Sequence, residues 1–256
     1  MTSKTIDRSR SNILFLILGG FFITNAVIAE FIGVKIFSLE KTFGYNPVSL
    51  SFFGEKGLSF NLSVGVIMWP VVFIMTDVIN EYYGRKGVRF LSFLTVGLIC
   101  YAFVMVSFAI GVEPADFWLD LNKDLKPDIN YAYSRIFGQG LWIIIGSITA
   151  FLVGQIVDVL VFHRLRKLTG ESMAWLRATG STLVSQLVDS FVVLYIAFYI
   201  GGDWTMLNVL AVGLVQYIYK FSIAVLLTPA IYLAHWAIDH FLGTELAEVL
   251  KKEASE

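Results

Sequence analysis

Carboxylate and amide side chains recur at helical spacing within long apolar stretches of this sequence. Asn80 and Glu81 follow Asp77 by three and four residues, and Asp158 follows Gln155 by three. Residues at these spacings share one face of a helix. Further polar residues of the apolar stretches are Asn25, Glu30, Thr76, Gln186, Asp189, Gln216 and Lys220. Converging carboxylates and amides suit a planar ligand with adjacent N–H donors and a carbonyl acceptor, such as a guanine-like edge, and the acids would also suit an amine or a coupled proton.

The elements that must hold these side chains are predicted to be membrane-spanning helices. Apolar residue types make up 57% of the 256 residues and charged residues only 15%, which leaves more apolar surface than a soluble domain can bury. A helix needs roughly 20 mostly apolar residues to cross the hydrocarbon core, and continuous runs favour helices over barrel strands. The sequence therefore predicts an all-α integral membrane protein, a single membrane domain over 1–256. Its six transmembrane helices are predicted at about 12–36, 62–83, 88–112, 136–162, 179–202 and 205–238.

The basic residues predict how these spans are oriented. One side of the predicted membrane carries Lys4, Arg8, Arg10, Arg85, Lys86, Arg89, Arg164, Arg166, Lys167, Arg177, Lys251 and Lys252. The loops on the opposite side have fewer basic residues, and acidic residues dilute them. Cytoplasmic loops carry the excess of lysine and arginine. We therefore expect both termini to be cytoplasmic.

The segment between the first two predicted spans has a pattern of its own. Apolar and polar residues alternate from Val48 to Ser63 around the turn sequence Gly54-Glu55-Lys56-Gly57. This pattern predicts a β-hairpin. By the predicted orientation the hairpin is extracellular and forms a small lid between helices 1 and 2.

Small residues accompany two of the buried carboxylates. Series with a four-residue step are Gly146, Ala150, Gly154 and Asp158 in the fourth span and Ser181, Ser185 and Asp189 in the fifth. Small residues let membrane helices approach closely. We therefore expect the carboxylates at helix–helix contacts facing inward. An ionisable group within a span costs roughly 2.5–3.5 kcal/mol on insertion scales, which favours a cavity or a partner for each of them.

Purely structural interpretations stay open for several of these residues. Glu81 could pair with Arg85 one helical turn later, and Asp158 with Asp189 could form a polar clamp. Cationic partners for that clamp would be Arg164 or Lys220. Aromatic residues that packing or an interfacial position would explain are Trp69, Phe73, Trp142 and Tyr217. Three inward aspartates with amides and a buried lysine nevertheless exceed what helix packing needs.

Composition and motifs exclude several classes of function. The net charge of -1, without a continuous basic face, argues against nucleic acid as a partner. The single cysteine, Cys100, excludes an intramolecular disulfide and a cysteine-based metal site. We expect no enzyme, because no Ser–His pair lies at membrane depth. No phosphate-binding glycine motif is present, so neither a cofactor nor an ATPase motor within the chain is expected.

Several motifs together carry a family resemblance. They are Ile23-Thr24-Asn25, Thr76 to Gly84 (TDVINEYYG), Gly154 to Arg166 (GQIVDVLVFHRLR), Ser181 to Asp189, Ile196-Ala197-Phe198, and Tyr217 with Lys220. On these motifs the sequence resembles the queuosine precursor transporter family, also described as vitamin-uptake-like transporters. The resemblance extends from about Asn12 to Trp236. It implies a six-helix carrier of the bacterial cytoplasmic (inner) membrane that imports 7-deazaguanine precursors of queuosine, a modified tRNA nucleoside.

The resemblance also implies which residues bind the substrate. The cyano precursor preQ0 and the aminomethyl precursor preQ1 both carry the guanine-like edge. By matching position, the substrate-binding residues are Asn25, Asp77, Gln155, Asp158, Gln186, Asp189 and Lys220, of which Gln186 stands where family members vary between amides. We expect Asp158 and Asp189, with Gln155 and Gln186, to hold the edge of the heterocycle between spans 4 and 5.

Asp77 and Lys220 are expected to form a charge pair that rearranges during alternating access. The sequence leaves open the preference for preQ0 or preQ1, coupling to protons, and a homodimer. One alternative is a substrate-binding membrane subunit of an ATPase-energised vitamin-type uptake complex. Another is a membrane protein without transport activity, such as a sensor.

Overall fold

The computed structural model of the chain describes residues 8–169 and 173–254. Lys4, one of the basic residues used to predict orientation, lies outside the described residues. The main helices are α1 (Ser9–Ile32), α3 (Trp69–Gly111), α6 (Leu141–Thr169), α7 (Ala174–Leu194), α8 (Met206–Leu226), α9 (Thr228–Leu242) and α10 (Thr244–Glu253). Shorter helices are α2 (Leu39–Thr42), α4 (Asp116–Leu121) and α5 (Ile129–Phe137).

Helices long and apolar enough to cross a membrane dominate the fold. Within the described residues five helical stretches qualify, namely Ser9–Ile32, Trp69–Gly111, Ile129–Thr169, Thr179–Ile200 and Met206–Leu226. The prediction of a helical, multi-pass membrane protein is thereby confirmed. The number differs from six because the predicted spans 62–83 and 88–112 both fall on α3.

Helix α3 is broken at Gly84. This residue has φ 63° and ψ -167°, a backbone conformation that is essentially restricted to glycine. The ring of Phe15 in α1 packs on both sides of the break, with its centroid 4.9 Å from that of Tyr83 and 6.4 Å from that of Phe90. The chain therefore turns sharply at Gly84.

The two parts of α3 run in opposite directions along α1. Near the C-terminal end of α1, Phe31 packs on Phe103 from the second part, with ring centroids 5.4 Å apart. At the same end, Ser63, just before the first part, donates a hydrogen bond of 2.7 Å to the carbonyl of Gly33. The start of the first part and the end of the second thus meet at one end of α1, while Gly84 lies near the other.

A small β segment, residues 36–63, connects α1 to α3. Its strands are β1 (Ile36–Ser38), β2 (Leu50–Phe52), β3 (Glu55–Leu58) and β4 (Asn61–Ser63). Strands β2 and β3 form the predicted antiparallel hairpin, and β1 pairs antiparallel with β4. The hairpin turns at Phe53 and Gly54, so most of the predicted turn sequence lies in β3. The buried Glu40 carboxylate organises the segment, because it accepts from the backbone N–H groups of Phe60 at 3.0 Å and Val48 at 3.4 Å.

The predicted last span, 205–238, is divided into α8 and α9 at Leu227, two residues before Pro229. This break follows from proline, which is favoured in the first turn of a helix and disfavoured in its interior. After α9 the chain turns at Gly243 into α10, whose Leu246 and Leu250 pack in one apolar cluster with Leu14 of α1. Helix α10 therefore covers the end of the bundle at which Gly84 lies.

Helix α7 ends in a π-helical segment, Tyr195–Ile200. The adjoining helix α6 approaches α7 closely along the predicted small-residue stripe. A Cβ added at Gly146 would lie 3.1 Å from the carbonyl oxygen of Val193, and one added at Gly154 would lie 3.7 Å from the Cβ of Asp189. The expected close contact between the fourth and fifth spans is present.

Candidate functional site

Two aspartates are buried at the contacts among α3, α6 and α7. Asp77 is 1% exposed and Asp158 is 0% exposed. Both accept hydrogen bonds from hydroxyl groups of α7: Thr182 Oγ1 lies 3.4 Å from Asp77 Oδ2, and Ser185 Oγ lies 3.3 Å from Asp158 Oδ1. Within the described residues, no basic nitrogen lies within 4.0 Å of either carboxylate, because the ion pairs form elsewhere.

Glu81 forms the most enclosed of these ion pairs. Arg177 Nη2 lies 3.1 Å from Glu81 Oε1 and 3.3 Å from Oε2, while Arg166 Nη2 lies 3.8 Å from Oε1. The suggested pairing of Glu81 with Arg85 is wrong, because the break at Gly84 separates the two residues and leaves Arg85 exposed. Arg177, assigned from the sequence to a loop, is 1% exposed.

Lys220 of α8 is held by Asp189 of α7. The side chains are 10% and 17% exposed, respectively, so this pair is partly enclosed. The expected charge pair between Asp77 and Lys220 is therefore replaced by an Asp189–Lys220 pair. In the suggested polar clamp, Asp189 does pair with Lys220, but Asp158 takes no part in this ion pair.

A narrow pocket lies between α3, α7 and α8 and is bounded at one end by α9. The space between its lining atoms is about 470 Å³, part of it open to the surroundings. Polar groups that line it belong to Asp77, Thr179, Thr182, Gln186, Tyr219 and Lys220. Aromatic and apolar walls come from Trp69, Phe73, Ile74, Ile223 and Ile231. Mostly apolar walls with a few convergent polar groups are typical of small-molecule sites.

The seven predicted site residues divide into three groups. Asp77, Gln186 and Lys220 line the pocket. Gln155, Asp158 and Asp189 lie behind the lining, where Gln155 exchanges hydrogen bonds of 3.3 and 3.4 Å with Thr76. Asn25 is not brought to the pocket, since its Nδ2 donates to the Phe21 carbonyl of its own helix at 2.8 Å.

Gln186 is notable among the lining residues. Its side chain is 2% exposed, and within the described residues its Nε2 has no hydrogen-bond partner. Leaving a buried donor unpaired costs about 1–3 kcal/mol, which is usually explained by a ligand or a water. Gln186 is thus suited to donate into the pocket.

Sequence reasoning missed three residues around the site, Thr182, Tyr219 and Arg177. Helical spacing could have identified Thr182, which lies four residues before Gln186 on the same face. The sequence likewise places Tyr219 directly before Lys220. For Arg177 no such signal exists, because its partner Glu81 is distant in the sequence.

Comparison with known proteins identifies the family of the chain. Residues 63–234 match the profile of a family described as "Putative vitamin uptake transporter". A Bacillus subtilis (strain 168) protein named "Probable queuosine precursor transporter" is 33% identical over 180 residues, covering 67% of this chain and 71% of that protein. An Escherichia coli (strain K12) protein named "Queuosine precursor transporter" is 26% identical over 191 residues, covering 68% and 73%. No solved structure matches the chain. The chain belongs to the vitamin uptake transporter family, and the resemblance seen in its sequence is confirmed.

Proposed function

We propose that this protein imports the 7-deazaguanine precursors preQ0 and preQ1 across the bacterial cytoplasmic membrane. The observation that carries the proposal is the pocket in which Asp77, Gln186 and Lys220 converge beside aromatic walls. The names of the relatives support the substrate class. On this proposal the chain is a transporter and not an enzyme.

The pocket groups match the edge that both precursors share. Asp77 accepts from the ring N–H and the exocyclic amine, as carboxylates do on guanine-like edges. Gln186 Nε2 donates to the ring carbonyl, which satisfies its unpaired N–H. Trp69 and Phe73 supply aromatic surface for the heterocycle. In this arrangement the bound molecule lies between α3, α7 and α8 and not between α6 and α7, where the approach at Gly154 leaves little room.

The other predicted site residues have supporting roles in this proposal. Asp189 holds Lys220 at the pocket wall, and Gln155 holds Thr76 next to Asp77. Asp158 faces the same group of helices from behind. Asn25 has no assigned contact with the substrate in this arrangement.

We infer that the chain crosses the membrane six times, with the turn at Gly84 separating the second and third crossings. Arg8 pairs with Glu253, so the two ends of the described chain lie on the same side of the membrane. An even number of crossings requires this, and the distribution of basic residues makes that side cytoplasmic. The β segment, residues 36–63, is then extracellular.

Uptake of labelled preQ0 and preQ1 in cells that cannot synthesise queuosine precursors tests the proposal. We expect uptake with the intact chain and its loss in Asp77→Asn and Gln186→Ala at matched membrane expression. Asn122→Ala is a suitable control, because this loop amide bonds to the Trp118 carbonyl. If neither compound is taken up by the intact chain, the proposed function is wrong.

Two further measurements sharpen the result. The family resemblance implies that Asn25 binds the substrate, whereas the pocket does not include it, and Asn25→Ala distinguishes the two. Retained uptake supports the pocket, and complete loss of uptake would show that the site extends to α1. Uptake by the purified chain alone in liposomes separates a self-sufficient carrier from a subunit that needs an ATPase.

A further inference from the structure

The ionisable side chains around the pocket do not balance in charge. Four carboxylates, those of Asp77, Glu81, Asp158 and Asp189, lie near the three cations of Arg166, Arg177 and Lys220. With every group in its ordinary state at neutral pH, one negative charge remains uncompensated among the described residues. An uncompensated charge at membrane depth is costly, and a carboxylate relieves that cost by binding a proton.

The geometry shows where that charge resides. Arg177 donates to Glu81, Arg166 lies 3.8 Å from the same carboxylate, and Lys220 donates to Asp189. Asp77 and Asp158 are left with hydroxyl donors alone, and the two carboxyl groups are near enough to interact electrostatically. Each also retains one oxygen, Asp77 Oδ1 and Asp158 Oδ2, without a hydrogen-bond partner among the described residues. Two negative charges buried close together repel each other, and a proton bound to one of them relieves that repulsion.

We propose that the Asp77–Asp158 pair binds one proton and exchanges it in each transport cycle, so that import of the heterocycle is coupled to proton entry. This inference rests on the proposed function and adds its energy source. The proton enters from the outer water while the pocket is open to that side. It leaves to the cytoplasm with the solute.

Charged and titratable groups surround the pair on every neighbouring helix. Titratable or charged groups facing this region are Glu81 on α3, His163 and Arg166 on α6, Arg177 and Asp189 on α7, Tyr219 and Lys220 on α8, and His235 on α9. On α1, Glu30 accepts from Ser147 at 2.8 Å, at the level of the N-terminal part of α6. The charged residues around the pocket are already paired with one another. Glu30 is a second buried acid without a basic partner among the described residues, so a test of the Asp77–Asp158 pair needs Glu30 replaced.

The two members of the pair have different access. Asp77 lines the pocket, whereas Asp158 lies behind it. A bound heterocycle that donates N–H groups to Asp77 favours the ionised form of this residue and moves the shared proton to Asp158. The unpaired amide of Gln186 lies in the same pocket wall and independently indicates that a hydrogen-bonding solute enters there. Solute and proton are thereby bound together.

Infrared spectroscopy of the purified protein in lipid tests the protonated pair without any substrate. A protonated carboxyl group has a C=O stretching band at higher frequency than the bands of a carboxylate. Glu30→Gln removes the other buried acid that could give such a band. In this background we expect the band at neutral pH and its loss when Asp158→Asn is added. Asp239→Asn is the matched control, because Asp239 is already paired with Lys251 at 2.9 Å, and it should keep the band.

Absence of the band in Glu30→Gln, or its persistence when Asp158→Asn and Asp77→Asn are each added to that background, would overturn the proposal. Elution of each variant as a single species in detergent shows that it is folded. Because the readout needs neither substrate nor transport, a variant that no longer transports remains informative.

Transport by liposomes containing the intact chain tests the coupling. With the membrane potential held at zero, a gradient of one pH unit, acidic outside, should concentrate preQ0 inside by up to about tenfold for one proton per solute. The cyano group of preQ0 adds no charge that would complicate this ratio. A sodium gradient at equal pH should give no accumulation, and accumulation driven by sodium would overturn the assignment to a proton.

Exchange of labelled for unlabelled preQ0 without any gradient tests transport separately from its coupling to protons. Exchange without accumulation under the pH gradient would refute proton coupling and leave the proposed function intact. Neither exchange nor accumulation of either precursor would refute the proposed function, and the infrared result would then decide the proton site by itself.

Discussion

The turn at Gly84 leads to a prediction with a calculable magnitude. In Gly84→Ala the new side chain is forced into a backbone region that costs about 1–3 kcal/mol for residues other than glycine. Its Cβ would also lie 3.0 Å from the carbonyl oxygen and 3.2 Å from the Cα of Ala254. Both neighbours are backbone atoms at the end of α10, so the segment must retreat by a few tenths of an ångström. We expect a loss of about 3 kcal/mol in the free energy of unfolding.

The assay is equilibrium unfolding of the purified protein in mixed micelles, followed by circular dichroism. Gly97→Ala in the same helix is the matched control, because Gly97 has no atom within 4 Å of the added Cβ. Alanine is favoured over glycine in helices, so the control should keep or slightly raise the free energy of unfolding. Equal stability of the two variants would refute the tight turn at Gly84 and its contact with α10.

Three further perturbations follow from the charged groups. Arg177→Met should lower the free energy of unfolding by about 3 kcal/mol, because Glu81 then keeps only the longer contact to Arg166. Adding Glu81→Gln should restore part of this loss, measured in the same unfolding assay. Lys220→Met should abolish preQ0 uptake, because it removes a donor from the pocket wall, and it should lower stability by leaving Asp189 without its cation. Adding Asp189→Asn should restore stability but not uptake. Burial raises the pKa of the Glu40 carboxyl, but accepted hydrogen bonds outweigh burial and leave that pKa below its ordinary value. Its stabilisation is therefore present at neutral pH and lost as the pH falls below about 4.5, so Glu40→Gln should speed hydrogen exchange in the β segment at pH 7 and not at pH 3.

Each of these three predictions has a control variant or an outcome that would contradict it. Arg164→Met, an exposed cation on α6, should leave the unfolding free energy within about 0.5 kcal/mol of the parent. Uptake retained by Lys220→Met would show that the lysine is structural. Exchange in the β segment that is equal for parent and Glu40→Gln at both pH values would show that the carboxylate does not organise this segment.

Much of the fold was predictable because it depends on local patterns. The hydropathy runs located the membrane helices, and the alternation before Ser63 located the β-hairpin. Pro229 lies where the last predicted span divides. The special role of Gly84 was not predictable, since the sequence Tyr-Gly-Arg fits a loop as well as a break within a continuous helix.

The candidate site was predictable in composition and only partly in pairing. Helical spacing placed Asp77 on one helix face with Asn80 and Glu81, and Gln155 on another with Asp158, but the partner of each charge depends on distances between helices. Lys220 could reach either Asp77 or Asp189, and the sequence does not distinguish them. The predicted fifth span begins at residue 179, which left Arg177 in a loop. In the structure α7 begins at Ala174, so Arg177 lies within the helix and contacts Glu81.

The packing of α10 on α1 affects how the protein is synthesised. Leu14 leaves the ribosome more than 200 residues before Leu250, with which it shares an apolar cluster. At about 5–20 residues per second, this interval is on the order of ten to fifty seconds. During that time the inserted first helix has no partner for this face other than lipid, insertion machinery or the α3 residues made meanwhile. A ribosome that stalls before Thr244 would leave a bundle with its helices inserted but one end uncovered, a state that quality-control proteases can recognise.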